Sequence, residues 1–112
     1  MIKNLTKKTI LAEKYKLCRN IFSKSSGLMF SKKNKTLIFI FKKEKINPLH
    51  MFFVLYPIDV LFLDENKIIA EIKENFKPFT FYTPKKKSKY IIELPKNSIK
   101  TSKTKINDKI DF

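Results

Sequence analysis

Two acidic residues stand where acids are costly. Asp59 lies inside the apolar run from His50 to Asp64, HMFFVLYPIDVLFLD, and Glu93 lies inside YIIELP, Tyr90 to Pro95. A carboxylate among hydrophobes must find hydrogen-bond partners or shift its pKa upward. Two such groups on neighbouring strands are the arrangement of an acid and base pair acting across a glycosidic or similar bond, which makes Asp59 and Glu93 the candidate catalytic residues. The structural alternative has Asp59 accepting from backbone amides in the loop after Pro57 and Glu93 paired with a lysine at a sheet edge. Buried acids with structural partners outnumber catalytic ones, so a hydrolase is not the leading expectation.

His50 is the only histidine and Cys18 the only cysteine. A metal site would need a third ligand, for which only Asp59 or Met51 suggests itself, and the close spacing of zinc ligands is missing. No metal and no cofactor are expected. A Cys–His nucleophilic pair is the formal alternative to a buried thiol and a strand-edge imidazole. Gly27, Leu28 and Met29, with His50, Met51, Phe53 and Asp59, are candidates to line a ligand pocket, methionine being adaptable to irregular apolar ligands. The competing account makes this cluster plain core. With one glycine in the chain, no Gly-rich phosphate loop, nucleophile elbow or nucleotide fingerprint can be built.

The net charge of +15 in 112 residues raises nucleic acid as a partner, because lysines that neutralise phosphates release counterions. All but one of the 25 basic residues are lysine, Arg19 being the exception. The bidentate forks that favour phosphate and guanine are thus nearly absent. The abundance of Lys, Ile, Asn and Phe also matches what an AT-rich genome writes. Phe76 to Lys89 is the stretch with the composition of a nucleic-acid surface, and Phe79, Tyr82, Lys85, Lys86 and Lys87 are its candidate contacts. The other lysine groups, Lys32-Lys33-Lys35 and Lys42-Lys43-Lys45, fall in separate turns, which argues for charge spread over loops.

These residues need elements to hold them. The run Met51 to Leu63 is too short for the roughly 20 apolar residues of a membrane span and is core, with no membrane association expected. Pro57 divides it into two strands. In the second, Ile58, Val60 and Phe62 face one way and Asp59, Leu61 and Leu63 the other. Asp64-Glu65-Asn66-Lys67 makes a tight reversal into a strand Ile68 to Lys73, a hairpin. Thr9 to Cys18 is expected as one strand bent near Glu13-Lys14, with Ile10, Ala12, Tyr15 and Leu17 inward. Asn20 to Gly27 is expected to hold the one short helix. Leu37 to Phe41 is a strand, Lys42 to Pro48 a turn, and Glu74 to Lys87 an irregular connection. Lys89 to Leu94 alternates Tyr90, Ile92 and Leu94 against Ile91 and Glu93, and Ile110 and Phe112 return a last strand to the sheet. About seven short strands with one small helix predict a mainly β protein, an antiparallel sandwich or barrel.

The order GLMF (Gly27 to Phe30), LIFIF (Leu37 to Phe41), HMFFVLYPIDVLFLD, KPF (Lys77 to Phe79), YIIELP and NDKIDF (Asn107 to Phe112) resembles the family called domain of unknown function 192. It is most similar to the archaeal branch, in which histidine-methionine precedes the central strand. The resemblance covers about residues 8 to 112 and implies a compact, mainly β, sandwich-like domain. It implies no activity. Where the family pattern shows glycine after the ELP strand and before the final Asp-Lys-Ile, this chain has Asn97 and Asn107. Asparagine tolerates the left-handed backbone region, so both turns are expected to survive.

On length the chain is one domain, residues 1 to 112. The lone cysteine, and a first twenty residues without a continuous apolar stretch, lead to a cytoplasmic address. The expected function is a small monomeric binding module for a small molecule or protein, with a pocket near the central strands. A lysine-rich RNA-binding module is the alternative.

Overall fold

A computed structural model describes residues 1–18, 36–47, 49–50, 56–78 and 80–112. Its centre is the strand predicted around Asp59. Ten strands are described in chain order: β1 (Ile2–Asn4), β2 (Thr9–Ala12), β3 (Lys16–Cys18), β4 (Leu37–Lys45), β5 (Leu49–His50), β6 (Ile58–Leu63), β7 (Ile69–Phe76), β8 (Phe81–Tyr82), β9 (Ser88–Pro95) and β10 (Ile110–Asp111). One short helix, α1 (Ser98–Ser102), follows β9.

All six residues of β6 are buried, and it pairs antiparallel with β7 on one side and β9 on the other. The full order of that sheet is β3-β4-β9-β6-β7. Alternation gives β6 two apolar faces, as the sequence predicts. Ile58, Val60 and Phe62 join Cys18, Leu37, Phe39, Phe76 and Ile91 in one cluster. Leu61 and Leu63 join Ile38, Ile92 and Leu94 in the other, which is closed by Ile2 and Leu11 from the sheet β10-β1-β2, by Ile110 and by Ile99 of α1. The ribbon β5-β8 lies over the first cluster through Tyr82. The mainly β, sandwich-like architecture is therefore as expected.

The Asp64 to Lys67 reversal is a hairpin. Asp64 Oδ1 accepts the amides of Asn66 and Ile68 at 2.9 and 3.0 Å, and Lys67 takes a positive φ of 63°. Asn97 and Asn107 have φ of 74° and 76°, the left-handed backbone that the asparagine-for-glycine argument predicts.

Several expectations need correction. The segment Thr9 to Cys18 is two strands in different sheets, because the chain leaves β2 at Glu13 and crosses to run parallel beside β4. Of the side chains expected inward, Ala12 and Tyr15 pack on the core, but Ile10 and Leu17 are 55% and 42% exposed, whereas Leu11 and Cys18 are buried. β1 was not anticipated at all. β4 runs through Lys45, where a turn was expected, since Lys45 pairs with Ser88 beyond a register shift. The supposedly irregular connection holds the end of β7 and all of β8. The helix expected at 20–27 lies outside the described residues, and α1 occupies a segment to which the sequence pattern assigns no element.

Candidate functional site

Asp59 is the second residue of β6 and is 1% exposed. Its neighbour on β9 is Leu94, but on β7 the register slips: Ile58 opposes Phe76 and Val60 opposes Lys73. Glu74 and Asn75 thus share the place opposite one residue, a bulge, and Asn75 takes a φ of 50°. A bulge removes an amide from the ladder, and Asp59 Oδ1 accepts that amide, Asn75 N–H, at 3.0 Å. The other oxygen, Oδ2, accepts Ile99 N–H of α1 at 3.1 Å. Asp59 therefore ties the end of β7 to α1. Its partners are backbone amides, as the structural alternative required, but they come from two remote segments and not from the loop after Pro57.

A second polar knot holds the far side of α1. Asp108 accepts Asn4 Nδ2 at 3.0 Å, Lys105 N–H at 2.9 Å and Lys7 Nζ at 3.0 Å. Asn4, fully buried, also donates to Thr104 Oγ1 at 3.0 Å and accepts Lys7 N–H at 2.9 Å. Thr104 and Ser102 hydroxyls lie 2.6 Å apart, and Thr9 donates to the Ser102 carbonyl at 2.8 Å. Burial alone would push the Asp108 carboxyl up, but its bonds from Asn4, the Lys105 amide and Lys7 outweigh that and hold it below the ordinary value.

Between the two knots opens a cleft of about 420 Å³, lined by Lys7, Glu74, Ile99, Lys100, Lys103, Thr104 and Lys105. The volume falls within the range of small-ligand pockets. Among the described residues the ion pair at this cleft is Lys7 with Asp108, and the ammonium groups of Lys100, Lys103 and Lys105 have no carboxylate within ion-pair distance. The bulge that engages Asp59 also sets Glu74 at the rim. What the arrangement can do chemically is hold an anion.

Asp59 and Glu93 do not act together. Direct neighbours across an antiparallel pair share a face, and Glu93 is opposite Val60 while Asp59 is opposite Leu94. The two carboxyls thus leave opposite faces of the sheet, and the acid and base pair is withdrawn. Glu93 instead raises the Tyr56 hydroxyl: burial pushes that pKa up first, and the Glu93 charge adds to it. Of the expected pocket lining, Gly27, Leu28, Met29, Met51 and Phe53 lie outside the described residues, and His50 is described only as backbone paired with Phe81. No group of three potential metal ligands occurs among the described residues.

The lysine loop contains a feature the sequence did not reveal. Glu71, 9% exposed, accepts Lys85 N–H at 2.8 Å and Lys86 N–H at 3.0 Å on one oxygen and the Tyr82 hydroxyl on the other. The bond to Glu71, with burial, pushes the Tyr82 pKa up to about 12. Tyr82 also packs on Phe62, with ring centroids 5.9 Å apart, so it is core and not a free stacking surface. Lys85, Lys86 and Lys87 are exposed, whereas Phe79 lies outside the described residues. A second register shift, between Phe62 and Leu63, breaks the alternation of β7 and conceals from the sequence that Glu71 faces Tyr82.

The family model of domain of unknown function 192, described as an uncharacterized ACR family, matches residues 2–112. The chain belongs to this family. A UPF0127 protein of Thermococcus sibiricus is 37% identical over all of this chain and 74% of its own length. One from Pyrococcus horikoshii is 36% identical, over all of this chain and 98% of its own length. Two crystal structures share the fold. A chain from Sinorhizobium meliloti has a TM-score of 0.80 at 21% identity, covering 85% of this chain and 78% of that one. A protein of unknown function from Novosphingobium aromaticivorans has a TM-score of 0.77 at 19% identity, covering 86% and 72%. At those identities they speak to the fold alone. Asp59 of the first knot lies in the central run and Asp108 of the second lies in NDKIDF, two of the segments that carry the resemblance. No helix among the described residues is long and apolar enough to cross a membrane.

Proposed function

We propose that this domain is a binding module for a small, multiply charged anion, held in the cleft between β7, α1 and the Thr104–Asp108 turn. The observation that carries the reading is the set of three lysines, Lys100, Lys103 and Lys105, brought to one cleft without carboxylate partners among the described residues. Gathering like charges costs energy unless something offsets their repulsion. A bound phosphate or carboxylate group does so, and lysine serves as a point-charge anion binder where no arginine fork is present. The walls are held by Asp59 on one side and by Asn4 and Asp108 on the other, which supports a backbone that is already ordered when a ligand arrives. Of the ligand-pocket residues expected near the central strands, the cleft involves Asp59, which acts as a positioning residue through its bond to the Ile99 amide. A cytoplasmic setting is part of the proposal, supported by a single, buried cysteine that forms no internal bridge.

The test is titration of the isotopically labelled protein with pyrophosphate and tripolyphosphate, followed by amide NMR. Shifts confined to Lys7, Glu74 and Ile99 to Lys105, and affinity reduced about tenfold or more in a K100Q/K103Q variant, are expected. Shifts spread evenly over every lysine turn, or equal affinity in the variant, would refute it.

A further inference from the structure

The cleft leaves unused the other concentration of charge, the loop from Lys77 to Ser88. Consecutive strand residues point to opposite faces, and in β8 the inward one is Tyr82, packed on Phe62 and Phe76. Phe81 therefore points outward and is 74% exposed. An isolated exposed aromatic needs no explanation. Here, however, it precedes by four residues a run of three exposed lysines, and the backbone of the first two is held by hydrogen bonds. Glu71 Oε1 accepts the two successive amides of Lys85 and Lys86, and Glu71 Oε2 holds the hydroxyl of Tyr82, the residue next to Phe81. Pro84 and Ser88, both buried, pin the loop on either side of the lysines. One buried carboxylate thus couples the position of the exposed ring to that of the cations.

We infer that this loop binds single-stranded nucleic acid, a base stacking on Phe81 while phosphates are neutralised by Lys85, Lys86 and Lys87. Stacking of this kind tolerates every base, and lysine point charges carry no base readout, so binding is sequence-tolerant and salt-sensitive. The surface lies on the Phe62 face of the central sheet, whereas the anion cleft lies beside Ile99 on the Leu61 face. The two sites are separate and can fail separately. An acidic peptide would meet the lysines equally well but would not require the ring, which is why the aromatic decides between the two partners.

The experiment is fluorescence anisotropy of a labelled short oligouridylate with the full chain between about 50 and 200 mM salt. Replacing all three lysines, K85Q/K86Q/K87Q, is expected to lower the slope of log affinity against log salt by about 2, at roughly 0.7 per phosphate on a single strand. F81A is expected to weaken binding by about tenfold or more with the slope unchanged, the loss of one stacked base. Because Phe81 is outside the core, that variant keeps its fold, which its melting curve checks. The cleft variant K100Q/K103Q should bind the oligonucleotide as the parent does. Absence of binding at the lowest salt, insensitivity to F81A, competition by polyglutamate at concentrations as low as by RNA, or an equal loss in the cleft variant would each overturn the inference.

Discussion

Replacing Asp59 by Asn removes a charge while keeping the shape, and the structure allows its cost to be worked out. The carboxylate accepts two backbone amides, Asn75 N–H at 3.0 Å and Ile99 N–H at 3.1 Å, one on each oxygen. An asparagine has one acceptor oxygen, so its NH2 group must face one of those two N–H donors. The loss is one hydrogen bond to a charged acceptor plus a partly unsatisfied amide, together about 3 kcal/mol. For a domain of this length that lowers Tm by about 10–15 °C. The control is D64N, because Asp64 also accepts two backbone amides but at a partly exposed hairpin, where the change should cost about 1 kcal/mol. Thermal melts by circular dichroism read the global effect, and hydrogen exchange reads the local one. In D59N at least one of the two amides, Asn75 or Ile99, should exchange faster than its strand or helix neighbours. A D59N melting point within a few degrees of D64N, with both amides still protected, would refute the idea that Asp59 joins β7 to α1.

Other outcomes follow from the same contacts. Asp108 has a folded pKa below its ordinary value, so the stability it contributes is present above the unfolded carboxylate pKa of about 3.9 and is lost as pH falls through the lower folded value. D108N should flatten the acid limb of a stability–pH curve measured by urea denaturation, and an unchanged limb would count against the knot. Tyr82 has the opposite sign: its folded pKa is about 12 against an ordinary value near 10, so its contribution is complete below the unfolded value and is lost as pH rises through the folded one. Ultraviolet titration should show a tyrosine ionising near 12 that disappears in Y82F. Asn97 and Asn107 carry φ of 74° and 76°, so Asn→Ala at either should cost about 1 kcal/mol, whereas Asn→Gly should be neutral or slightly stabilising. Equal melting points for the Ala and Gly variants would remove the left-handed argument.

The sequence by itself determined what depends on near neighbours. Ile58 to Leu63 had to be a two-faced buried strand because apolar residues fill both registers of a period of two, and the structure seats Phe62 and Leu61 in different clusters. The Asp64 hairpin, the alternation of Tyr90 to Leu94 and the left-handed turns at Asn97 and Asn107 are equally local, each set by the residues that make it. The tertiary structure alone decided the remote partners of the buried polar groups Asp59 and Asn4. Asp59 bonds to residues 16 and 40 positions away, and Asn4 to residues 100 and 104 away. Two bulges in β7 changed which groups faced Asp59 and Tyr82, and a register shift in β2, where Ala12 opposes Ile2 and Ile10 opposes Lys3, accompanies a buried Leu11 and an exposed Ile10. Local preference states whether a residue suits a strand or a turn. A buried donor or acceptor is satisfied by whichever element packs against it, and that is fixed only when the sheets meet.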